Sequence, residues 1–291
     1  MTLPLVSIIV VDWNGIIDTR ACIASIYFHC KALEWELIII DNNDNPLDLC
    51  SIVSIPDHRI SIVHNKCNVG FAAACNQGFE VASNDSGYLL FLNNDTLLIS
   101  DFISDCLEYM ETNPNVGATS PCIDYFDPVG RPWFHGAMLN ERHGLAVHVN
   151  DVPPVLAREV PWLTGCSLIV RKHVFELAGK FDDSLFMYCE DVDLSIKIRK
   201  LGYELVLLPQ IGLLHKVSAS AKRRALKSLF FDVRNKFIMC KRHYHGYSIV
   251  PYVNVFYREA RTALRSDIPF QQALINTSII VLAFIASLIK K

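Results

Sequence analysis

Short apolar runs alternate with helix-like patterns through the first hundred residues of the chain. The runs that predict strands are LVSIIVV (5–11), ELIIID (36–41), ISIVHN (60–65) and GYLLFLNND (87–95). The segments that predict helices lie at 19–28, 72–82 and 101–112. Unbroken Ile, Val and Leu runs are typical of strands covered on both faces. Strands that alternate with helices in this way indicate a doubly wound α/β sheet.

Beyond residue 115 the periodicity is weaker. The segment DPVGRPWFHG (127–136) combines turn residues with aromatics, which predicts a hairpin or a loop. LTGCSLIVRK (163–172) predicts a further strand, and residues 181–205 predict a loop followed by a helix that begins near Cys189. Lys and Arg residues late in this helix suit its C-terminal end, and Gly202 is a typical stop.

Polar side chains follow three of the predicted strands. Asp12 follows the first strand, residues 41–45 end the second, and residues 93–95 end the fourth. Ligands of doubly wound sheets bind beyond the carboxyl ends of the strands. One such cluster is compatible with an ordinary turn, but three at one edge favour a binding site. Asp95 ends an apolar run, where a carboxylate is costly unless a partner offsets its charge.

A cluster of acids opens the last predicted helix. Glu190, Asp191 and Asp193 stand where negative side chains interact favourably with the helix dipole, so capping explains part of the pattern. The aromatic residues Phe186 and Tyr188 lead directly into this cluster. A carboxylate beside apolar walls can also be tuned as a general base. The residues alone leave both interpretations open.

Composition narrows the class of protein without naming it. With 291 residues, 51% of them hydrophobic, the chain is long enough for one large domain or for one domain with a modest appendage. The ten cysteines contain no C-x-x-C pair and no spacing typical of metal ligands. The start MTLPLVSIIVVDWNG has no basic leader or cleavage site of a signal peptide. We therefore expect a reduced, cytoplasmic protein.

The C-terminal quarter differs from the rest in charge. Residues 216–242 carry nine Lys or Arg against the single acid Asp232, a net +8, which leaves −11 for the remainder of a chain whose total is −3. The basic residues are Lys216, Lys222, Arg223, Arg224, Lys227, Arg234, Lys236, Lys241 and Arg242. Such a block indicates contact with phosphate or anionic lipid, or else a solvated helix face.

Two helices are predicted in this quarter. From Leu226 onward, apolar residues recur at the spacing of an amphipathic helix, namely at Leu229, Phe230, Val233 and Phe237. ALINTSIIVLAFIASLIKK (273–291) is mostly apolar but is interrupted by polar residues, so it falls just short of a typical spanning helix. An interfacial membrane helix suits it better. The alternative is a helix that forms a homodimer or covers the core.

Six segments of the chain, in order, resemble one known family. They are VSIIVVDWNG, ELIIIDNNDN, NKCNVGFAAACNQGF, YLLFLNNDTLL, TGCSLIVRK and FDDSLFMYCEDVDLSIKIRKLGY. Together they resemble family 2 glycosyltransferases of the GT-A fold, in particular the rhamnosyltransferase-like branch that builds bacterial surface polysaccharides. The resemblance covers roughly residues 5 to 240. It implies a Rossmann-like, mostly parallel central sheet flanked by helices, with a C-terminal helical extension.

The resemblance also implies a division of the chain. Residues 1–215 would form the GT-A catalytic domain, with a nucleotide-binding half at 1–100 and an acceptor half at 101–215. Residues 216–291 would form a basic, amphipathic helical region.

Donor-binding roles follow from the resemblance for matching positions. Trp13 and Asp41 would contact the nucleotide base and ribose, with Asn14 and Asn43 beside them. The donor would also lie against the remaining matched residues, which are Gly70, Asn76, Asn93 and Asn94. Asp95 would hold Mg²⁺ or Mn²⁺ on the donor diphosphate, since these hard cations prefer oxygen ligands.

The implied reaction is a single inverting displacement. Asp191, with Glu190 beside it, would take the proton of the acceptor hydroxyl while that oxygen attacks the anomeric carbon. His215 stands where related enzymes place a histidine near the metal or diphosphate; packing is the other interpretation of a lone histidine. The donor would be dTDP-rhamnose or, as the alternative, a UDP-hexose. The acceptor would be a saccharide, free or carried on a polyprenyl diphosphate, at the inner face of the cell membrane. Nucleic acid is not an expected partner.

Two departures from the family pattern affect these expectations. The metal motif often reads Asp-x-Asp, and here Asn93 occupies its first position, which leaves Asp95 with waters and the diphosphate. DNNDNPLD lacks the Ser and the later Asp-Gly that usually follow the second strand, so ribose contacts beyond Asp41 are not predicted.

Three rival classes remain to be weighed. A dinucleotide binder would need G-x-G-x-x-G after the first strand, where the chain has one glycine. A sugar-1-phosphate nucleotidyltransferase would need a glycine-rich basic loop at the same place. A catalytically inactive nucleotide-sugar-binding homologue is compatible with Asn93, although Asp95, Glu190 and Asp191 argue against it.

Overall fold

The chain forms two compact units. The computed structural model describes residues 3–47, 57–217, 225–244, 249–265 and 268–289. Unit 1 comprises Met1–Ala137, His148–Phe186 and Glu190–Val217, and unit 2 comprises Met138–Val147, Met187–Cys189 and Ser218–Lys291. The predicted division at residue 215 thus lies two residues before the structural one. Two short segments of the predicted catalytic domain cluster with the C-terminal helices.

Twelve strands and eight helices occupy the described residues. The strands are β1 Val6–Asp12, β2 Trp35–Asp41, β3 Ile60–His64, β4 Tyr88–Asn93, β5 Thr96–Leu98, β6 Val116–Tyr125, β7 Pro132–Phe134, β8 Ala137–Asn140, β9 Leu145–His148, β10 Arg158–Glu159, β11 Ser167–Arg171 and β12 Glu204–His215. The helices are α1 Ile16–His29, α2 Phe71–Val81, α3 Phe102–Thr112, α4 Lys172–Leu177, α5 Glu190–Lys200, α6 Ala225–His243, α7 Val250–Ala263 and α8 Phe270–Ile289. Every strand and helix predicted before residue 115 is present, with ends within three residues of the prediction.

Unit 1 is built on one mixed sheet. Its main path runs in the order β10-β12-β6-β11-β4-β1-β2-β3, with β5 paired to β12 and β7 paired to β6. The four neighbours β4, β1, β2 and β3 are parallel. Strand β11 is antiparallel to both β4 and β6. The parallel strands carry their carboxyl ends to one edge, which is where the polar clusters of the sequence lie.

The apolar runs explain why these strands form the centre of the sheet. All seven residues of β1 except Val11, and all of β2 except Glu36, are buried. Helices cover such strands on both faces, so neither face needs polar residues. The exceptions are the carboxylates Asp12 and Asp41 at the strand ends, which are fully buried and need partners inside the protein.

Two long strands were not predicted from the sequence. Strand β6 is buried over nine of its ten residues although it contains Thr119, Ser120 and Pro121. Strand β12 pairs in parallel with β6, and the pairing is interrupted by bulges between Leu208 and Leu213. Polar residues within β6 and bulges in β12 break the simple apolar pattern, so neither strand has a clear signature in the sequence.

Unit 2 consists largely of three helices that pack on one another. The ring of Phe237 in α6 lies 4.9 Å from Phe284 in α8 and 6.4 Å from Tyr252 in α7. Lys236 bridges Asp232 at 2.6 Å and Glu259 at 2.9 Å. The amphipathic helix predicted from Leu226 is therefore present as α6.

The last helix of unit 2 is apolar on both its faces. Residues Gln271–Ile289 have a mean hydropathy of 2.1, and by length and composition this helix could cross a membrane. Ala273, Ile280 and Ala283 are buried. Its exposed apolar side chains are Leu274, Ile275, Val281, Leu282, Ile285, Leu288 and Ile289. Of the predicted basic residues, Lys222, Arg223, Arg224, Lys290 and Lys291 lie outside the described residues.

Candidate active site

The ends of three parallel strands place two carboxylates and a histidine in one row. Asp12 of β1 pairs in register with Asp41 of β2, which pairs with His64 of β3. Asn43 links the two acids, because its side-chain amide donates to Asp12 Oδ1 at 2.7 Å and to Asp41 Oδ1 at 2.6 Å. Its Oδ1 accepts the backbone N–H of Asn14 at 2.6 Å. Asn43 therefore organises this edge of the sheet.

Asp12 accepts hydrogen bonds from the loop after β4 and from α1. The hydroxyl of Thr19 donates to Asp12 Oδ2, and the amide of Asn94 donates to the same oxygen at 3.3 Å and to Thr19 Oγ1 at 2.9 Å. A Cβ at Gly15 would meet Asn94 Nδ2, so a larger residue at this position would displace the amide of Asn94. Asn94 thus ties two loops together.

Asp41 is fully buried, and its carboxylate accepts hydrogen bonds from four N–H groups. Its Oδ1 accepts the backbone and side-chain N–H groups of Asn43, and its Oδ2 accepts Leu47 N at 2.7 Å and His64 Nδ1 at 2.8 Å. Burial acts to raise the pKa of Asp41, but these hydrogen bonds outweigh it and hold the pKa below its usual value. Both oxygens of Asp41 are thus engaged by protein donors, and its predicted contact with the nucleotide stays a prediction.

Trp13 and Asn14 extend the same edge outward. Asn14 is exposed and has a left-handed backbone with φ of 55°, a conformation that asparagine tolerates better than most residues. Trp13 is half-buried beside it. Both side chains lie where the sequence predicted contact with a nucleotide, directly after β1.

The structure brings the two predicted metal ligands together. His215 Nε2 lies 3.1 Å from Asp95 Oδ1, and both side chains are largely buried. The strand pairing of β12 with β5 sets this distance, because His215 is in register with Thr96. The ring of Trp133 packs edge-on against His215 at 4.3 Å. His215, 120 residues from Asp95 in sequence, is therefore more than a packed residue: it is a direct neighbour of the candidate metal carboxylate.

The Asp95–His215 pair fits a divalent cation. Two ligands at right angles, each about 2.1 Å from an ion such as Mg²⁺, lie roughly 3 Å apart, close to the observed 3.1 Å. His215 Nδ1 is buried without a hydrogen-bond partner in the described part of the chain. Within the same residues, no group of three His, Cys, Asp or Glu side chains gathers around a common point. A cation here would thus need further oxygens, as Mg²⁺ commonly takes from substrate phosphates.

Asp191 is held at the start of α5 by two backbone donors. Its Oδ2 accepts Gly165 N at 2.9 Å, and its Oδ1 accepts Val192 N at 2.8 Å. Burial raises the pKa of Asp191, while these N–H groups and the nearby His148 counteract the rise. A fixed carboxylate with a raised pKa is the arrangement expected of a general base.

Glu190 differs from its neighbour. It is buried, and its Oε2 has no hydrogen-bond partner among the described residues. Burial, together with the adjacent charge of Asp191, holds the pKa of Glu190 well above the usual range. This rise favours the protonated form of Glu190, and Asp191, held by two backbone N–H groups, is the better candidate for the base.

Gly70 and Asn76 contact protein where a donor contact was predicted. A Cβ at Gly70 would lie 2.6 Å from both the ring and the carbonyl oxygen of Phe186, and Gly70 has a φ of +94° that favours glycine. The amide of Asn76 bonds Phe181 in both directions, donating to its carbonyl at 2.9 Å and accepting its N–H at 3.1 Å. Both residues therefore fix the loop before α5 against α2.

Sequence reasoning missed His148 and the two tryptophans that pack against it. His148 Nδ1 donates to the carbonyl of Trp133 at 3.1 Å, and its ring lies 4.7 Å from Trp133 and 5.3 Å from Trp162. Burial lowers the pKa of His148. The charge of Asp191 acts to raise this pKa, and the charge of His215 acts to lower it. The hairpin signal at 127–136 was recognised, but nothing in the sequence links it to Asp191 or His215.

Comparison with known proteins agrees with this architecture. A crystal structure of GalNAc-T7 with UDP, GalNAc and Mn²⁺ superposes with a TM-score of 0.64 at 15% identity, over 95% of this chain and 54% of that chain. The fold is thus the GT-A fold, as predicted. The chain belongs to glycosyl transferase family 2, whose model matches residues 7–176.

Two relatives refine this placement. The chain is 34% identical over 94 residues to the N-acetylglucosaminyl-diphospho-decaprenol L-rhamnosyltransferase of Mycobacterium tuberculosis strain CDC 1551, which covers 32% of this chain and 31% of that protein. It is 25% identical over 240 residues to rhamnosyltransferase WbbL of Escherichia coli K12, which covers 74% of this chain and 88% of that protein. The chain spans only 25% to 31% of the length of three of the curated relatives that it matches.

Proposed function

We propose that this protein is a metal-dependent, inverting glycosyltransferase that moves a hexosyl group from a nucleotide-diphosphate sugar to a hydroxyl group of a saccharide acceptor. The family supports glycosyl transfer in general. Residues from separate parts of the sequence, drawn together at one edge of the sheet, support the metal dependence and the mechanism.

One observation carries the proposal: the dipeptide Gly165–Cys166 connects the candidate base to the candidate metal loop. The N–H of Gly165 donates to Asp191, while the carbonyl of Cys166 accepts the N–H of Asn93 at 2.9 Å. Burial raises the pKa of the Cys166 thiol, and the charges of Asp95 and Asp191 raise it further, so both acids lie near one side chain. In a displacement at a single carbon, the group that stabilises the leaving group and the base that activates the attacking hydroxyl must lie this close together.

In the proposed reaction Asp191 accepts the proton of the acceptor hydroxyl as its oxygen attacks the anomeric carbon. Gly165 N–H and Val192 N–H hold the carboxylate in place, which removes the entropy cost of orienting it during the reaction. Glu190, buried and protonated, limits the negative charge near the base. His148 lies near Asp191 and His215, and burial lowers its pKa.

The donor would bind along the carboxyl ends of β4, β1 and β2. Asp95 and His215 would hold Mg²⁺ or Mn²⁺, with Asn93 beside them; when bound, the ion would stabilise charge on the departing diphosphate. Trp13 and Asn14 would contact the nucleoside. Asn94, Asn43, Gly70 and Asn76 would act indirectly, because the structure shows their side chains or backbone engaged with other parts of the protein. The Mn²⁺ in the structurally similar GalNAc-T7 supports a divalent ion.

Rhamnose from dTDP-rhamnose is the donor that the relatives favour, and a UDP-hexose is the alternative. Two rhamnosyltransferases are among the similar proteins, and the name of one describes a decaprenyl-diphosphate acceptor. A polyprenyl-diphosphate-linked saccharide is therefore the proposed acceptor, in the synthesis of a bacterial surface polysaccharide such as O-antigen.

Release of nucleoside diphosphate tests the proposed activity. Purified protein is incubated with dTDP-rhamnose or with UDP-hexoses, with and without Mn²⁺, and free dTDP or UDP is measured. We expect release from one donor class that requires the metal and rises when a suitable acceptor is added. Donor binding without turnover under every condition would instead indicate an inactive sugar-nucleotide-binding homologue.

We further propose that unit 2 places the enzyme on the inner face of the cell membrane as a peripheral protein. Helix α8 exposes seven large apolar side chains, and α7 exposes Val253, Phe256 and Tyr257 near Arg258 and Arg261. Apolar side chains flanked by basic ones are typical of helices that lie in the headgroup region.

Co-sedimentation with anionic liposomes tests the membrane proposal. We expect the full chain to bind at low salt and less at high salt, since headgroup attraction is screened. Leu282→Glu on the exposed side of α8 should lower binding by about tenfold, because insertion of one leucine contributes roughly 1.5–3 kcal/mol. Leu177→Glu, at a leucine that is similarly exposed but lies in unit 1, is the matched control and should bind normally. Full-length protein that stays in the supernatant at low salt would assign the surface of α8 to a homodimer contact or to packing.

A further inference from the structure

Trp133 is the bulged residue of strand β7. Phe134 pairs with Ile123 of β6. The next residue of β6, Asp124, pairs with Pro132, so Trp133 is the extra residue between the two pairs. A bulge re-aims a side chain away from the regular alternation of a strand, and bulges are common beside active sites. Phe134 is fully buried in the core, whereas Trp133 is only half-buried, so the bulge leaves part of the indole ring exposed.

Two histidine rings fix the indole of Trp133. The centre of the His215 ring lies 4.3 Å from that of the indole at an interplanar angle of 86°, and the His148 ring lies at 4.7 Å and 80°. His148 Nδ1 also donates to the carbonyl of Trp133 at 3.1 Å. Perpendicular aromatic contacts of this kind are favourable. The indole is therefore held in place before a ligand binds, which lowers the entropy cost of binding to it.

Trp133 adjoins both halves of the proposed reaction site. His215, which the indole contacts, has its Nε2 3.1 Å from Oδ1 of Asp95, the carboxylate of the proposed metal site. His148, the other contact of the indole, lies near enough to Asp191 for the charge of that acid to act on it. The indole is thus next to the groups proposed to hold the leaving diphosphate and to the proposed base.

The segment that follows Trp162 strengthens the connection to the base. The ring of Trp162 packs on His148 at 5.3 Å. Gly165, a little further along the same segment, donates its backbone N–H to Asp191 at 2.9 Å. In a displacement, the carbon that is attacked lies between the leaving group and the attacking oxygen. The transferred hexosyl group would therefore occupy the space beside Trp133.

The indole N–H of Trp133 is available to a ligand. It donates to no group in the part of the chain that the structure describes, and it is not enclosed by those residues. By contrast, the N–H of the buried Trp35 donates to the carbonyl of Cys30 at 3.1 Å. Trp133 thus presents an apolar ring together with a hydrogen-bond donor. A hexose presents C–H groups and hydroxyls, which are the complementary groups.

We propose that Trp133 binds the transferred hexosyl group, its ring packing against C–H groups of the sugar and its N–H donating to a sugar hydroxyl. This inference rests on the proposed glycosyl transfer. The nucleoside diphosphate that remains after the reaction lacks the sugar. Trp133 therefore strengthens the binding of the donor but not of the product, which favours product release.

Binding of matched nucleotides to the full chain tests this inference. Dissociation constants are measured by calorimetry in Mn²⁺, without acceptor, for UDP and UDP-glucose and for dTDP and dTDP-rhamnose. The variants are compared on the pair whose sugar nucleotide the wild-type protein binds more tightly. Trp133→Ala removes the ring and its N–H, so we expect it to weaken the sugar nucleotide about tenfold and to change the nucleoside diphosphate less than about twofold.

A second variant and a control separate the ring from the N–H. Trp133→Phe keeps an aromatic ring but has no donor, so it should weaken the sugar nucleotide by about threefold, less than alanine does. Phe28→Ala is the matched control. Phe28 is 68% exposed near the end of α1, at the edge of the sheet opposite the strand ends that form the site, and this variant should bind both nucleotides as the wild type does.

The possible outcomes distinguish the inference from the function on which it rests. Equal weakening of both nucleotides by Trp133→Ala would show that the indole only supports the metal site through His215, and would overturn the inference. Unchanged binding of both would also overturn it, and a raised KM for the acceptor would then assign the indole to the acceptor. If the wild-type protein binds neither nucleotide of either pair, the proposed function fails and the inference with it. Should Trp133→Ala not fold, the same comparison on Trp133→Phe decides.

Discussion

Asp95→Ala should abolish metal-dependent donor turnover while the protein remains folded. Asp95 is the carboxylate beside His215 at the ligand edge, so its loss removes the anionic ligand of the proposed cation. The lost stabilisation of the leaving group, several kcal/mol, corresponds to a decrease in kcat of roughly 10³-fold or more. The fold should survive, because the substitution removes a largely buried charge together with its hydrogen bond to His215, whose loss costs roughly 1–3 kcal/mol.

The measurement is dTDP or UDP release at a series of Mn²⁺ concentrations, together with the melting temperature of each variant. Asp95→Asn keeps the size of the side chain and an oxygen near His215 but lacks the charge, so it should also be inactive. Asp44→Ala, at an exposed acid on the same edge, is the matched control and should retain activity. Wild-type activity of Asp95→Ala in Mn²⁺, or no effect of EDTA on the unmodified enzyme, would falsify the metal assignment.

Asp191→Asn should lower kcat by roughly 10²–10⁴-fold, the usual contribution of a general base. Asparagine has nearly the same shape but cannot accept the proton of the acceptor hydroxyl. It keeps one oxygen for either Gly165 N–H or Val192 N–H, so local order is partly preserved. Donor affinity should therefore be nearly unchanged, because the donor is held at the ends of β4, β1 and β2.

Glu190→Gln is the matched control for this prediction. Burial raises the pKa of Glu190 and so favours its neutral form, with which glutamine is close to isosteric. We expect kcat within about threefold of wild type, in contrast to the large loss at the adjacent position. Loss of donor binding in Asp191→Asn would show that Asp191 positions the donor. A larger loss of kcat in Glu190→Gln than in Asp191→Asn would exchange the roles of the two acids.

The sequence predicted the nucleotide-binding half of the fold well because its signals are local. Strands β1, β2 and β4 are unbroken apolar runs that end in polar residues, and the helices between them follow ordinary periodicity. The resemblance to a GT-A family is confirmed by the family match and by the similar structure. The second half was predicted less completely. Strand β6 buries Thr119 and Ser120, whose backbones pair with a parallel strand more than eighty residues away and whose hydroxyls donate to Met110 Sδ and to the carbonyl of Pro121.

Residue types at the site were recognisable, but their partners were not. Gly70 was predicted to allow close backbone approach, and the group that approaches it in the structure is Phe186. Asn76 was placed near the donor, and its amide fixes Phe181. The donor contacts of both residues stay predictions. Asp41 was expected to touch the nucleotide, and its carboxylate is enclosed by Asn43, Leu47 and His64. A polar residue can contact either a ligand or a part of the protein that is distant in sequence, and the sequence pattern does not show which of the two it contacts.

The sequence by itself determined the fold class, the ligand edge of the sheet and the acids available there, because apolar runs and strand-end residues act through near neighbours. Only the tertiary structure decided which of those groups work together. The pairing of β12 with β5 brings His215 to Asp95, and the dipeptide Gly165–Cys166 brings Asp191 to the same place. The sheet register likewise sets His64 on Asp41. These contacts join residues 23 to 120 positions apart, and their geometry is fixed by strand order and register, which no local pattern encodes.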